Sequence, residues 1–351
     1  MRILIRVIPC LLAAALASVS GLAQNGTGSG GSIAARLSSV PLWPSNGIIP
    51  PEDEKHYVFL DPAKGEVVLS YPENLGNTDG APLSSVRKTF RYQRWNRVRP
   101  GVQFSVAARG DGRFEYTYAV SNEARAMGPI RALMLVAPAL DLMDLVEGPK
   151  YWLAYSARSD NSAVQMVLQR SLRNDGYVNW MKANSDEPGG LGIAPGQSMG
   201  GFHLICKELP GFSTMYIQGY GSTSMPEDLP EEVSNQFLPF MKIEGDSQQI
   251  YVFGPKFPSS TSKREIAADF HIGLQHFTVH RVLSAQSPFV SAALAALARY
   301  INAPGWFVDG APVELSVPDE LLHLPTPAQG LESNIALALK VALQTARTQD
   351  R

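Results

Sequence analysis

The amino-acid sequence predicts a mainly-β protein, an antiparallel β-sandwich followed by a helical C-terminal region. About eight to ten short stretches alternate apolar and polar residues and are separated by turn residues, which is typical of strands. Helical stretches do not interrupt them, which favours antiparallel pairing over a parallel sheet. Closer to the C-terminus, two stretches instead repeat apolar residues at helical spacing.

The central strands are predicted between Val102 and Val136. Phe104 and Val106 alternate with polar residues, and the run from Phe114 to Val120 continues with a period of two. A Gly-Asp-Gly sequence between these runs suits a tight reversal. A third apolar run begins at Ile130, and we expect the three strands to form one face of an antiparallel sheet.

Further strands are predicted on both sides of this centre. A hairpin is expected within His56–Tyr71, where a loop with Asp, Pro and Gly separates two apolar runs. Pro210 and Gly211 are interpreted as a turn between two later strands. The remaining predicted strands are 87–99, 164–168, 177–181, 201–206, 214–220 and 249–253.

Two amphipathic helices are predicted near the C-terminus. Ser287 suits an N-cap and Pro288 the first helical position, so a helix is expected over 288–301. A second is expected over 331–345, and the pattern of 263–283 is ambiguous, with helix favoured. Each has one apolar stripe, which we expect the sandwich to bury.

Residues 1–23 have the pattern of a secretory signal peptide. Arg2 and Arg6 precede an apolar run, and small residues precede a cleavage point after Ala23. The apolar run is too short to span a bilayer comfortably. The sequence therefore predicts a secreted or periplasmic protein with no transmembrane segment after cleavage.

The chain divides into four predicted segments. These are a signal peptide (1–23), a flexible linker and lead-in (24–50), a β-sandwich domain (51–258) and a helical region (259–351). Cleavage leaves 28 Lys and Arg against 32 Asp and Glu, and this mild acidity argues against a nucleic-acid partner. Cys206 is then the one remaining cysteine, so stability must come from an ordinary core. No cofactor is expected.

The sequence around Ser198 matches G-x-S-x-G, the nucleophile elbow of α/β-hydrolases. That elbow requires a strand, a sharp turn and a helix, because the helix N-terminus contributes to the oxyanion hole. Here a Gly-rich loop with Pro195 precedes the serine, and the residues after Gly201 alternate like a strand. We therefore interpret Ser198 as a turn residue, and expect no catalytic residue.

His276 and His280 are candidate metal ligands, because four-residue spacing places them on one helical face. Asp269 could add a carboxylate, but no HExxH pattern is present, and we favour ordinary polar side chains. Three tryptophans are candidate binding residues, since exposed indole rings can stack on sugars; these are Trp95, Trp152 and Trp180. The competing interpretation places such tryptophans in the core.

One resemblance covers roughly residues 87–220, and it concerns the fold alone. It rests on Tyr116, Tyr118, Val120, Asn122, Pro129-Ile130, Trp180, Ile193, Pro195-Gly196, Ser198 and Gly201-Phe202. In these positions the chain resembles the immunoglobulin-like β-sandwich modules of uncharacterised bacterial secreted proteins. The resemblance implies a fold and an export route, and it assigns no catalytic residue.

Together these observations predict an exported, non-enzymatic binding or structural protein, with a cell-envelope protein or a glycan as its partner. A glycan-binding module that uses exposed aromatic residues is the alternative. A serine hydrolase built on Ser198 is the less favoured third hypothesis.

Overall fold

The computed structural model describes residues 40–76, 80, 82–138, 145–158, 176–182, 192–220, 228–241, 247–308, 311–313 and 315–346. The predicted signal peptide, most of the linker and the predicted strand 164–168 lie outside these residues.

Twelve strands of the described chain form three antiparallel sheets. In chain order they are β1 (Val58–Asp61), β2 (Glu66–Pro72), β3 (Arg87–Gln93), β4 (Pro100–Ala108), β5 (Phe114–Asn122), β6 (Ile130–Val136), β7 (Leu145–Glu147), β8 (Trp152–Arg158), β9 (Gly176–Lys182), β10 (Ser198–Cys206), β11 (Leu209–Gly219) and β12 (Gln248–Phe257). A further pair of two-residue strands, β13 (Phe307–Val308) and β14 (Ala311–Pro312), follows later.

The helices lie mainly after the strands. They are α1 (Glu231–Phe237), α2 (Lys263–Val279), α3 (Pro288–Ile301), α4 (Asp319–Leu322) and α5 (Leu331–Thr345). Short 3-10 turns occupy Pro51–Asp53 and Leu238–Met241. None of the helices described here is long and apolar enough to cross a membrane.

Two of the sheets enclose the main core and form the predicted sandwich. The four-stranded sheet has the order β4-β5-β10-β7, and the five-stranded sheet has the order β12-β11-β6-β9-β8. Alternate residues of each strand point inward, such as Tyr118 and Phe202 from one sheet and Leu135 and Trp180 from the other. The mainly-β, antiparallel sandwich prediction is confirmed.

The prediction that three consecutive strands share one sheet is wrong at the third strand. β4 and β5 pair as expected, but β6 lies in the opposite sheet between β11 and β9. The chain crosses between the sheets after Asn122, and Ile130 then pairs with Ile193 through two backbone hydrogen bonds of 2.9 Å each. Alternation of apolar residues is the same in either sheet, so the sequence pattern does not reveal this crossing.

The third sheet, β1-β2-β3, has a separate small core. Its buried residues include Val67, Leu69 and Tyr92, which pack with Val233 and Phe237 of α1. Phe90 and Tyr92 both face this core, as the alternation in 87–99 predicts.

The predicted turn at Pro210 and Gly211 is wrong, because both residues lie inside β11. The reversal falls instead between the end of β10 at Cys206 and the start of β11 at Leu209. The register of β11 against β12 shifts at Pro210, and the pairing of β11 with β6 begins only at Met215. Proline has no backbone N–H. It is tolerated here because β6 does not pair with this part of β11 and the pairing with β12 is irregular at this point.

The C-terminal helices pack on the sandwich, as their apolar stripes predict. α3 and α5 begin and end where the sequence places them, and the ambiguous stretch is helical as α2. Ser287 caps α3 by accepting a hydrogen bond from the Val290 N–H. α5 contacts β11 and β4, and α2 contacts β11, α3 and α5. Leu297 and Leu339 belong to the same core as the strands.

Candidate binding face

The structure places Ser198 in a strand and not in a nucleophile elbow. Ser198 is the exposed first residue of β10 and lies opposite Ser121 of β5. The chain continues as a strand to Cys206, so no helix N-terminus follows the serine to supply oxyanion-hole donors. That Ser198 is not a nucleophile stays a prediction, and its position at the start of a strand supports it.

The loop before Ser198 has a structural partner in Asn122. The Asn122 side chain is buried and donates to the carbonyls of Gly128 and Ile193 at 2.9 and 3.0 Å. Its Oδ1 accepts from the Arg99 N–H at 3.0 Å. Its backbone accepts from the Gly196 N–H and donates to the Gln197 carbonyl. The glycine-rich motif is thus joined to the end of β5.

The candidate tryptophans occupy three different positions, two of them in the main core. Trp180 is 0% exposed and donates through Nε1 to the Glu147 carbonyl at 2.7 Å. Trp152 is 7% exposed. Trp95 is half-buried and packs against the core of the three-stranded sheet. Trp152 and Trp180 therefore present no ring face to solvent, which a sugar-stacking platform requires.

His276 and His280 do share a face of α2, and their ring centroids are 4.1 Å apart. The ring of Tyr251 packs on His276 at 3.9 Å. Burial, with a smaller effect of His280, lowers the pKa of His276 to about 4. Asp269 does not join them, because its carboxylate binds the Phe212 N–H at 2.8 Å and the Lys256 ammonium. Among the described residues, no three His, Cys, Asp or Glu side chains gather into a metal site.

A row of polar side chains crosses the outer face of the four-stranded sheet, and we call it the polar row. Ser105 lies opposite Thr117, Thr117 opposite His203, and His203 opposite Glu147. The row therefore runs over β4, β5, β10 and β7 in their order within the sheet. Because directly opposed side chains on one face lie close together, the four groups form one continuous strip.

Hydrogen bonds join the row in two pairs. Ser105 Oγ and Thr117 Oγ1 are 2.5 Å apart. His203 Nε2 and Glu147 Oε2 are 3.2 Å apart, and this pair becomes an ion pair when His203 is protonated. The Glu147 side chain is 53% exposed and that of His203 is 24% exposed, so both can contact a molecule from solvent.

Among the residues that the structure describes, the outer face around the polar row is accessible and presents no Phe, Tyr or Trp from its four strands. The outward residues of the four strands are Gln103, Ser105, Ala107, Glu115, Thr117, Ala119, His203, Ile205, Leu145 and Glu147. Of these, only Ile205 is buried. This face is thus a mostly polar surface that is largely accessible in the described part of the chain.

Sequence reasoning did not find this face. Alternation does place Ser105, Thr117 and His203 away from the core, and that was the available signal. It does not indicate which residues stand opposite one another across four strands, because β10 and β7 come from distant parts of the chain.

The comparisons with known proteins add little to this description. No protein-family model matches the chain, and no curated protein matches it. Among solved structures, it is similar to an uncharacterized protein from Nocardia farcinica with an immunoglobulin-like fold. The two are 16% identical, the alignment covers 43% of this chain and 96% of that one, and the TM-score is 0.24. So low a TM-score carries no argument, and the fold class rests on the strand pairing of this chain.

Proposed function

We propose that this chain is an exported, non-enzymatic binding protein, and that the face around the polar row is its binding surface. The observation that carries the proposal is the polar row itself. It aligns four hydrogen-bonding side chains on a face that the described helices leave uncovered. Such groups can both donate and accept hydrogen bonds to a partner.

The partner that this face suits is a protein of the cell envelope. An accessible sheet face of mostly polar side chains fits the broad contact of two proteins, in which polar groups set the register. Sugar recognition depends more on the rings of Trp, Tyr and Phe, and the described outward residues of this face include none of them. The burial of Trp152 and Trp180 also removes two of the rings on which the glycan alternative depends.

Export is supported by the charged, apolar and small-residue pattern of residues 1–23. Protein recovered from the producing cells should begin near Gln24 and lie outside the cytoplasm. Intact Met1 in the cytoplasmic fraction would contradict export.

Site-specific photocrosslinking in the producing cells tests the binding surface. A photoreactive side chain at Thr117 should give one discrete adduct, because this position is central in the polar row. The same side chain at Ser291, an exposed position on α3, is the control and should give none. Equal adducts at both positions, or none at Thr117, would contradict the proposed surface.

Labelling with a fluorophosphonate probe tests the proposal that the protein is not a serine hydrolase. We expect no labelling of the folded protein, and no difference between the wild type and Ser198→Ala. Stoichiometric modification of Ser198 would establish the hydrolase alternative instead.

A further inference from the structure

In the described part of the chain, one buried lysine ammonium has no hydrogen-bonding partner. Lys182 is the last residue of β9 and is 4% exposed. Among the described residues its Nζ has no hydrogen-bond partner and no ion pair with a carboxylate. Lysine side chains that are this buried normally have a partner.

This ammonium lies beside an aromatic ring that a second lysine also approaches. Lys182 Nζ lies 5.3 Å from the ring centroid of Tyr151, and Lys150 Nζ lies 4.8 Å from the same centroid. Lys182 stands opposite Trp152 in the β8–β9 pair, which places Tyr151 beside it. Two ammonium groups therefore lie beside one ring.

The ring alone does not neutralise two cations. A cation–π contact offsets part of the cost of removing an ammonium from water, but a buried charge ordinarily requires a counter-charge. Lys150 adds a second positive charge beside the same ring. The arrangement is thus complementary to an anion, and Lys150, which is exposed, marks the side that faces solvent.

We propose that Lys150, Tyr151 and Lys182 form a binding site for the oxyanion group of a ligand, a phosphate or a carboxylate. Lysine binds either group as a point charge, without the fixed fork geometry of arginine. The site is separate from the polar row, and the inference does not depend on the function proposed for that row.

Thermal melting of the full chain in different anions tests this site. At matched ionic strength and pH, inorganic phosphate or acetate should raise the Tm of the wild type above its value in chloride, by about 2–4 °C near saturation. Whichever anion gives the larger rise identifies the preferred oxyanion. Isothermal titration with that anion should show one site.

Three variants make the test specific. Lys182→Met keeps an unbranched side chain of similar length and should abolish the rise, and Lys150→Met should reduce it at least severalfold. Lys88→Met, an exposed lysine on β3, is the matched control and should leave the rise unchanged. In chloride, Lys182→Met should melt at or above the wild type, because it removes an unpaired buried charge.

Two outcomes would overturn the proposal. An equal response of the wild type and Lys182→Met would show that the anion acts elsewhere. No response of the wild type, together with a lower Tm of Lys182→Met in chloride, would show that the chain itself supplies the partner of Lys182.

Discussion

Asn122 shows how one side chain holds the crossing between the two sheets. It replaces sheet pairing at the end of β5 with hydrogen bonds to Arg99, Gly128 and Ile193. The bond to the Ile193 carbonyl is buried, the other two are part-buried, and the Ile193 carbonyl also accepts from the Ile130 N–H. The residues on which the immunoglobulin-like resemblance rests include Asn122, Ile193 and Gly196, and the structure brings these three together.

Gly192 is the residue of this crossing that tolerates no side chain. Its φ is 127°, and a Cβ there would lie 1.9 Å from the Ile130 carbonyl oxygen. Gly192→Ala should therefore break the Ile130–Ile193 pairing and lower the free energy of unfolding by about 3 kcal/mol, measured by urea denaturation. Gly110→Ala is the control, since a Cβ there meets nothing within 4 Å. Similar midpoints for both variants would contradict the role of Gly192.

His276 gives the protein a pH-dependent stability. Its pKa is lowered from 6.5 to about 4 in the folded protein, mainly by burial. Between these two values the unfolded chain binds a proton that the folded chain does not bind, so the free energy of unfolding rises with pH over this window.

His276→Gln should flatten that rise between pH 4 and 6.5. The measurement is the urea midpoint of the wild type and the variant across the window. Above the window His276 is neutral in the folded and the unfolded chain. The difference in urea midpoint between the wild type and His276→Gln should therefore become constant there. Parallel curves through the whole window would show that another group causes the pH dependence.

At the scale of elements, α2 is joined to β11 and β12 by polar and by apolar contacts, and Phe212 takes part in both kinds. Asp269 accepts a hydrogen bond from the Phe212 N–H, and Lys256 donates both to Asp269 and to the Phe212 carbonyl. One helix turn later, Gly273 lies against the Phe212 ring. The helix therefore supplies a partner to the part of β11 that β6 does not pair.

Gly273→Ala should destabilise the protein although alanine is the better helix former. The added Cβ would lie 2.0 Å from the Phe212 ring. Overpacking of about 1–3 kcal/mol should exceed the helix-propensity gain of about 1 kcal/mol. In a double-mutant cycle by urea denaturation, Phe212→Leu should relieve part of this cost. Additive effects of the two substitutions would contradict the steric explanation.

For the whole molecule, α5 covers an edge strand of the sandwich. β4 is the outer strand of the four-stranded sheet, and Asn334 of α5 donates to its Phe104 carbonyl at 2.9 Å. Ile335 and Leu339 of the same helix are fully buried in the main core. An uncovered edge and an uncovered apolar surface both favour aggregation. The helical region therefore covers both an edge strand and part of the apolar core of the sandwich.

Deletion of residues 331–351 should leave a chain that aggregates or melts at a markedly lower temperature. Light scattering and thermal melting measure this directly. Asn334→Ala, which removes only the hydrogen bond to β4, should cost about 1 kcal/mol and leave the protein soluble. An unchanged Tm of the truncated chain would show that the sandwich does not need α5.

The sequence by itself determined those structural features that depend only on residues close together along the chain. The N-cap Ser287, the helices 288–301 and 331–345, and the alternation in β4 and β5 were all predictable, because caps and periodicity are local. The same local reasoning excluded a helix after Ser198. The fold class follows from these elements together.

Only the tertiary structure decided which residues meet across the fold. It placed β6 in the opposite sheet, buried Trp152 and Trp180, aligned Ser105 with Glu147 across four strands, and left Lys182 without a hydrogen bond. The physical reason is that strand register and sheet membership are set by contacts between distant segments. An alternating strand carries the same pattern whichever sheet it joins and whichever strand it pairs with.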